Sequence, residues 1–286
     1  MNTNNTPQVD IILLNWKGAP RTLNLINNLN RLSTPFRLIV VDNDSQDGSL
    51  EAFKKTRPAQ KVIQSHSNLG FSGGCNLGIN WALANQPADY ILLLNNDMEV
   101  AEDFLDKMLE KAHETKAAII GATIKSLHQP QKTLAIGGGV IHFQLGTSRH
   151  ITAGKPDYIT GACMLIDTQL LKKVGVLPEK HYFMYWEDAD FCFAAKNLGF
   201  KLAVADQAIV YHEESASLGK QNPLLAYYFN CSATVFFRKY AKKPFIPIMV
   251  GVGGRAFKQL LRRNFPAVKA CLAGLSQGLK IQIQKE

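Results

Sequence analysis

YILLLNNDMEV, residues 90–100, opens on an apolar run and ends in Asn95, Asn96 and Asp97, with Glu99 two positions on. A short apolar run without alternation reads as a strand covered on both faces, the signature of a parallel sheet between helix layers. VDIILLN (9–15) and RLIVVDN (37–43) repeat the pattern, ending in Asn15 and in Asp42 with Asn43, and KVIQS (61–65) is a shorter version. Helical stretches over 19–32, from 47 or 49, over about 74–84 and over about 102–114 separate the runs, and AAIIGATI (117–124) closes the series. This alternation predicts a doubly wound α/β half. In such sheets the carboxyl ends of the strands face one crevice, so Asn15, Asp42, Asn43, Asp44, His66, Asn95, Asn96 and Asp97 are expected to share a site.

Beyond residue 125 the pattern changes. TLAIGGGVIHF (133–143) reads as a glycine-rich hairpin or bulged strand pair, and YITGACMLID (158–167) as one buried strand. A short helix (168–174), the aromatic loop HYFMYWED, a helix over about 188–198 and the strands FKLAVA and AIVYHE follow. From Pro223 the chain turns helical and basic, so a boundary is placed near residue 220.

The 286 residues are 46% hydrophobic and 19% charged, a globular composition that excludes wholesale disorder. Thirty-two Lys and Arg against 23 Asp and Glu give a net charge of +9, which points to an anionic partner: nucleic acid, a phosphorylated substrate or an acidic membrane. Five scattered cysteines without a CxxC pair read as reduced cytosolic thiols. The start, MNTNNTPQVD, lacks the basic and apolar regions of a signal peptide, and FIPIMVGVGG is about half a membrane span.

Four segments carry candidate chemistry. In VVDNDSQDGS (40–49), Asp42 is either turn chemistry or an acceptor for a base or ribose. SNLGFSGGCNLGINWAL (67–83) lacks GxGxxG and the P-loop ending; its glycines mark either tight packing or close backbone approach to a ligand, with Asn68 and Asn76 as amide donors. NNDME (95–99) is a strand terminator or, beside diphosphate oxygens, part of a Mg²⁺ or Mn²⁺ site. HYFMYWEDADF (181–191) sets Glu187, Asp188 and Asp190 after Tyr182, Phe183, Tyr185 and Trp186. Three acids exceed what a helix cap needs, and aromatics beside carboxylates suit a sugar pocket with a general base. His212 ends AIVYHE, where a histidine opposite an aspartate can complete a metal site.

Taken in order, the strand ending in Asn15, VVDNDSQDGS, NLGFSGGCNLGI, LLLNNDME, GACMLID, YFMYWEDADFCFAAKNLGF and VYHEESAS resemble family-2 glycosyltransferases of GT-A fold. The likeness covers about residues 8–218 and is nearest the bacterial rhamnosyltransferase-like branch that builds O-antigens and other surface polysaccharides. It implies an α/β fold whose domain spans 1–220, with a nucleotide-binding half over about 8–125 and an acceptor half over about 126–220, followed by a basic helical extension over 221–286. It implies donor contacts from Asn15, Asp42, Asn43, Asn68, Gly70, Phe71, Gly74, Asn76, Asn95 and Asn96. NND replaces the family's Asp-x-Asp, so Asp97 alone keeps a carboxylate, and His212 resembles the second contact to the divalent cation, Mg²⁺ or Mn²⁺. Asp188 matches the catalytic base of an inverting transfer, with Trp186, Glu187 and Asp190 toward the acceptor. The implied partners are a nucleotide-diphosphate sugar, rhamnose favoured over another hexose on UDP or GDP, and a glycan or lipid-linked saccharide.

The basic helices are expected to rest on anionic lipid at the inner face of the plasma membrane through Phe236, Phe237, Phe245, Ile246 and Ile248 beside Arg238, Lys239, Lys242 and Lys243, or else to close over the domain or form a homodimer contact. A nicotinamide oxidoreductase would need a fingerprint after the first strand, where NWKGAPRT has one glycine. A nucleic-acid-binding protein is disfavoured because the acids at 42–47, 97–103 and 187–190 would repel phosphate, so no nucleic-acid partner is expected.

Overall fold

The computed structural model describes residues 7–56, 61–213 and 222–283. The boundary placed near residue 220 and the EESAS end of the last family-like segment lie outside the described residues, save Glu213. Strands β1 (Val9–Asn15), β2 (Arg37–Asp42), β3 (Lys61–Gln64), β4 (Tyr90–Asn95), β5 (Met98–Val100) and β6 (Ile119–Ser126) come first. They are followed by β7 (Thr133–Ile136), β8 (Gly138–His142), β9 (Thr147–His150), β10 (Tyr158–Ile159), β11 (Cys163–Asp167) and β12 (Leu202–His212). The main sheet has the order β3-β2-β1-β4-β11-β6-β12-β5, with β7 beside β6. β1 to β4 pair in parallel, whereas β11 is antiparallel to both β4 and β6.

The helices are α1 (Ala19–Leu29), α2 (Ser49–Thr56), α3 (Gly70–Ala84), α4 (Phe104–Thr115), α5 (Thr168–Val174), α6 (Glu187–Asn197), α7 (Pro223–Tyr240), α8 (Phe245–Leu261) and α9 (Phe265–Lys280). Alternate residues of the apolar strands enter different cores: Ile11, Leu13, Leu92 and Leu94 pack with α1 and α4, Ile12, Ile91 and Leu93 with α3 and α6. That double burial explains the unalternating runs.

Three expectations change. YITGACMLID is not one strand: Thr160–Gly161–Ala162 breaks it, and β10 joins a separate three-stranded sheet with β8 and β9. TLAIGGGVIHF is no hairpin, since β7 pairs with β6 and β8 with β9 and β10. FKLAVA and AIVYHE are one strand whose register shifts between Ala205 and Ile209.

The helices after residue 222 are not a lipid-facing tail throughout. Phe236, Phe237 and Ile248, expected to meet lipid, are buried, whereas Phe245 and Ile246 are exposed. Phe236 and Phe237 pack on Trp186 at ring separations of 4.9 and 5.2 Å. Arg238 donates to the carbonyls of Gly278 and Ile281, and Lys239 pairs with Asp190, so neither cation is spare for lipid.

Candidate active site

β4 and β12 stop at the same end of the sheet, and the turn after β4 carries Asp97 to the last residue of β12. His212 Nε2 lies 3.2 Å from Asp97 Oδ2, and Glu213 N–H donates to the Asp97 carbonyl. Asp97 Oδ1 is buried without a hydrogen-bond partner. An orphaned carboxylate oxygen beside an imidazole is an incomplete ligand set, which a divalent cation and phosphate oxygens would fill. Among the described residues no group of three or more His, Cys, Asp or Glu gathers to hold a metal by itself.

Asn95, His212, Glu187 and Asp188 line one cleft of 510 Å³, walled by Phe71, Tyr158, Met184, Tyr185, Trp186 and Phe229. The left-handed backbone of Tyr185 and Trp186, φ 67° and 69°, turns the aromatic loop into α6 and sets both acids at its first turn. Two consecutive bulky residues in that region store strain, which is found at functional sites. Asp188 Oδ2 accepts from Gly161 N–H at 3.0 Å and Oδ1 from Ala189 N–H at 2.8 Å. Burial raises its carboxyl above the usual range, while those two amides and His150 pull the other way. Glu187 is 6% exposed, and its Oε2 has no donor. Burial first and the Asp188 charge second push Glu187 well above the ordinary carboxylate range. Burial raises both adjacent acids, but their surroundings differ: amides of two other residues favour the charged form of Asp188 alone.

Other expected site residues take different places. Asn15, Asp42, Ser45 and Thr22 are buried and, with Asn96, form a polar network that lines neither the cleft nor the cavity beside it, so Asn15 and Asp42 are corrected from direct donor contacts to supporting residues. Asn15 Nδ2 donates to Asp42 Oδ1 at 2.9 Å, Thr22 Oγ1 donates to Asn15 Oδ1, and Asn96 Nδ2 donates to Thr22 Oγ1. Asn43, 2% exposed, donates to Asn68 Oδ1 and the Gly70 carbonyl and accepts from Leu69 N–H. The glycine-rich segment is the first turns of α3 rather than a loop. Gly70, at φ +71°, approaches the aromatic loop, and a Cβ there would lie 2.1 Å from the Phe183 carbonyl oxygen. Gly74 packs on Leu14, and Asn76 is buried against Leu177 and Glu179, so neither reaches the cleft. Asp190 is also corrected. It is 1% exposed and held by Tyr182 Oη, Tyr240 Oη and Lys239 Nζ, which removes it from any acceptor.

A second cavity of 210 Å³ shares Phe71 and Met184 with the cleft and is walled by Trp16, Asn43, Asn68, Phe183 and Tyr228. Sequence reasoning missed Ser148, His150, Tyr158, Thr160 and Gly161, which line the far side of the cleft. The Thr-Gly pair inside YITGACMLID was the available signal, hidden by reading the run as continuous.

The sequence model for glycosyl transferase family 2 matches residues 11–175, more than half of the chain. The chain belongs to glycosyl transferase family 2. A low-salt glycan biosynthesis hexosyltransferase of Haloferax volcanii is 26% identical over 215 residues, 72% of this chain and 67% of the relative. An N-acetylglucosaminyl-diphospho-decaprenol L-rhamnosyltransferase of Mycobacterium tuberculosis is 23% identical over 244 residues, 75% of this transferase and 79% of the relative. The mannosyltransferase PcManGT of Pyrobaculum calidifontis, solved with GDP-Man and Mn²⁺, superposes with a TM-score of 0.58 at 16% identity, covering 97% of this chain and 76% of that one. GalNAc-T7, solved with UDP, GalNAc and Mn²⁺, gives 0.68 at 10% identity over 97% and 57% of the two chains. These likenesses establish the GT-A fold of this transferase, a mixed, mostly parallel sheet with C-terminal helices.

Proposed function

We propose that this family-2 transferase is an inverting enzyme that moves a sugar, rhamnose favoured, from a nucleoside diphosphate to a hydroxyl of a glycan or lipid-linked saccharide in surface-polysaccharide synthesis. The observation that carries the reading is the placing of Asp188, oriented by the Gly161 and Ala189 amides, beside Glu187 in one aromatic-walled cleft with Asn95 and His212. Asp188 takes the proton of the acceptor hydroxyl as that oxygen bonds to the anomeric carbon, and the bond from that carbon to the diphosphate oxygen breaks. Glu187, whose burial favours its neutral form, lines the same cleft and is the group that hydrogen-bonds the acceptor. The aromatic walls Trp186, Tyr185 and Phe229 cover sugar C–H surfaces.

The nucleobase is assigned to the neighbouring cavity between Trp16 and Tyr228. Asp42, 2% exposed and outside both cavities, is bonded by Asn15 and Ser45 and supports the donor site from beneath Asn43, which lines the nucleobase cavity. Asp97 and His212 would hold the divalent cation, Mg²⁺ or Mn²⁺, which when bound offsets the charge gathering on the leaving nucleoside diphosphate. The rhamnose assignment draws on the resemblance and on the Mycobacterium tuberculosis relative, whereas solved neighbours hold GDP-Man or UDP-GlcNAc.

Asp188→Asn tests the role directly. Transfer should fall by about 10³-fold or more while the donor nucleotide binds as it does to wild type. Turnover within a few-fold of wild type would remove Asp188 as the base.

A further inference from the structure

α8 has two apolar sides. Its inner side, Pro247, Ile248, Gly251 and Val252, is buried on the domain. Its outer side exposes Phe245, Ile246, Met249, Val250, Phe257, Leu260 and Leu261, between 46% and 74% accessible. At 3.6 residues per turn these seven fall within roughly 160° of the helix circumference, an arc containing no polar side chain. Phe265, 57% exposed, follows at the start of α9. Eleven of the fourteen large exposed hydrophobics among the described residues lie between Leu224 and Leu279. A contiguous apolar surface on this scale is unusual for a surface that meets only water.

Charge identifies what covers it. Residues 223–280 contain ten Lys and Arg and no Asp or Glu, so the other residues together carry a net −1 of the +9 total. Lys242 and Lys243 precede the helix and Arg263 follows it, all three exposed, whereas Lys258 and Arg262, also exposed, turn away from the arc to line a cavity with α7 and α9. A second copy meeting this face by two-fold symmetry would set these cations against themselves. A protein partner would find no hydrogen-bonding side chain inside the arc. An anionic lipid surface offers acyl chains to the arc and phosphates to its borders. α8 is 17 residues, short of a span, and no helix among the described residues is long and apolar enough to cross a membrane.

We propose that the outer face of α8, with Phe265, docks this protein onto an anionic phospholipid bilayer, lying in the interface with Lys242, Lys243 and Arg263 at headgroup level. This surface differs from the one read from sequence, since it runs on through Phe257 and Leu261 and excludes the buried Phe236, Phe237 and Ile248. It stands apart from the transferase reading, because lipid binding is measured without turnover. The test is co-sedimentation of the full chain with phosphatidylcholine vesicles, with and without phosphatidylglycerol, at low and high salt. Wild type should pellet with the anionic vesicles and less so with neutral ones. Phe257→Asp with Leu261→Asp should lower the partition coefficient by at least about tenfold, with an unchanged circular dichroism spectrum. Lys242→Gln with Lys243→Gln should weaken the preference for anionic vesicles while keeping part of the binding. Wild type remaining in the supernatant with anionic vesicles would overturn the proposal. So would a wild-type dimer in light scattering that the Asp pair dissociates, which would give the face to a second copy.

Discussion

Glu187 and Asp188 are neighbours whose surroundings differ by two hydrogen bonds. Asp188 receives amides from Gly161 and Ala189, while Glu187 Oε2 receives none. Because burial favours the neutral form of Glu187, Glu187→Gln keeps its size without a charge and should retain kcat/KM within about tenfold, against the loss of about 10³-fold or more for Asp188→Asn. The acid limb of kcat/KM should lie above the ordinary aspartate range, since burial raises Asp188, and should persist in the Gln variant. Stability has the opposite sign from a paired acid. Glu187 has a folded-state pKa above its unfolded value, so as pH rises past the ordinary carboxylate range the unfolded chain releases a proton the folded one keeps, and stability falls. Glu187→Gln should therefore raise Tm over wild type by more at pH 8 than at pH 4, and equal shifts at both would contradict this pairing. Gly70→Ala tests a different residue-scale constraint. Its left-handed φ and the Phe183 carbonyl leave no room for a Cβ, so a loss of about 1–3 kcal/mol from the backbone alone is expected in denaturant unfolding, together with lost activity. The acids were legible in HYFMYWEDADF because three exceed a cap's need. Their inequality was not, because Gly161 reaches Asp188 across 27 residues of chain.

Among the elements, the parallel strands were legible because burial on both faces forces uninterrupted apolar runs. The same logic misled at YITGACMLID, where two buried strands of different sheets abut and only Thr160 and Gly161 separate them. The glycine-rich segment hid a helix start: Gly70, Gly74 and Gly78 serve close packing on Phe183, Leu14 and Ile12 rather than a phosphate. α7 joins the site through a buried polar knot in which Asp190 accepts from Tyr182, Tyr240 and Lys239. Removing one partner leaves an uncompensated buried charge, so Asp190→Ala should cost about 3–5 kcal/mol by chemical denaturation. Lost activity in that variant should track the unfolded fraction. A stable Asp190→Ala protein with a selectively raised acceptor KM would return Asp190 to the acceptor site.

Across the whole molecule, the charge that pointed to an anionic partner divides in two. The C-terminal helices hold all of the net positive charge. The cleft instead presents Glu187 and Asp188 with His150 and His212, and on the proposed reading a diphosphate is met through a cation held by Asp97 and His212. The motif order made the fold readable, whereas the sugar depends on the shape of a cleft assembled from β4, β9, β10, α6 and α7, which no single segment encodes. Donor recognition is the direct test of the central claim. Thermal melting should be followed with dTDP-, UDP- and GDP-sugars, each with Mn²⁺ or with EDTA. One nucleotide class should raise Tm by several degrees with Mn²⁺, a rise lost in EDTA and in Asp97→Asn. No stabilisation by any nucleotide sugar, or a rise indifferent to EDTA, would contradict the site described here.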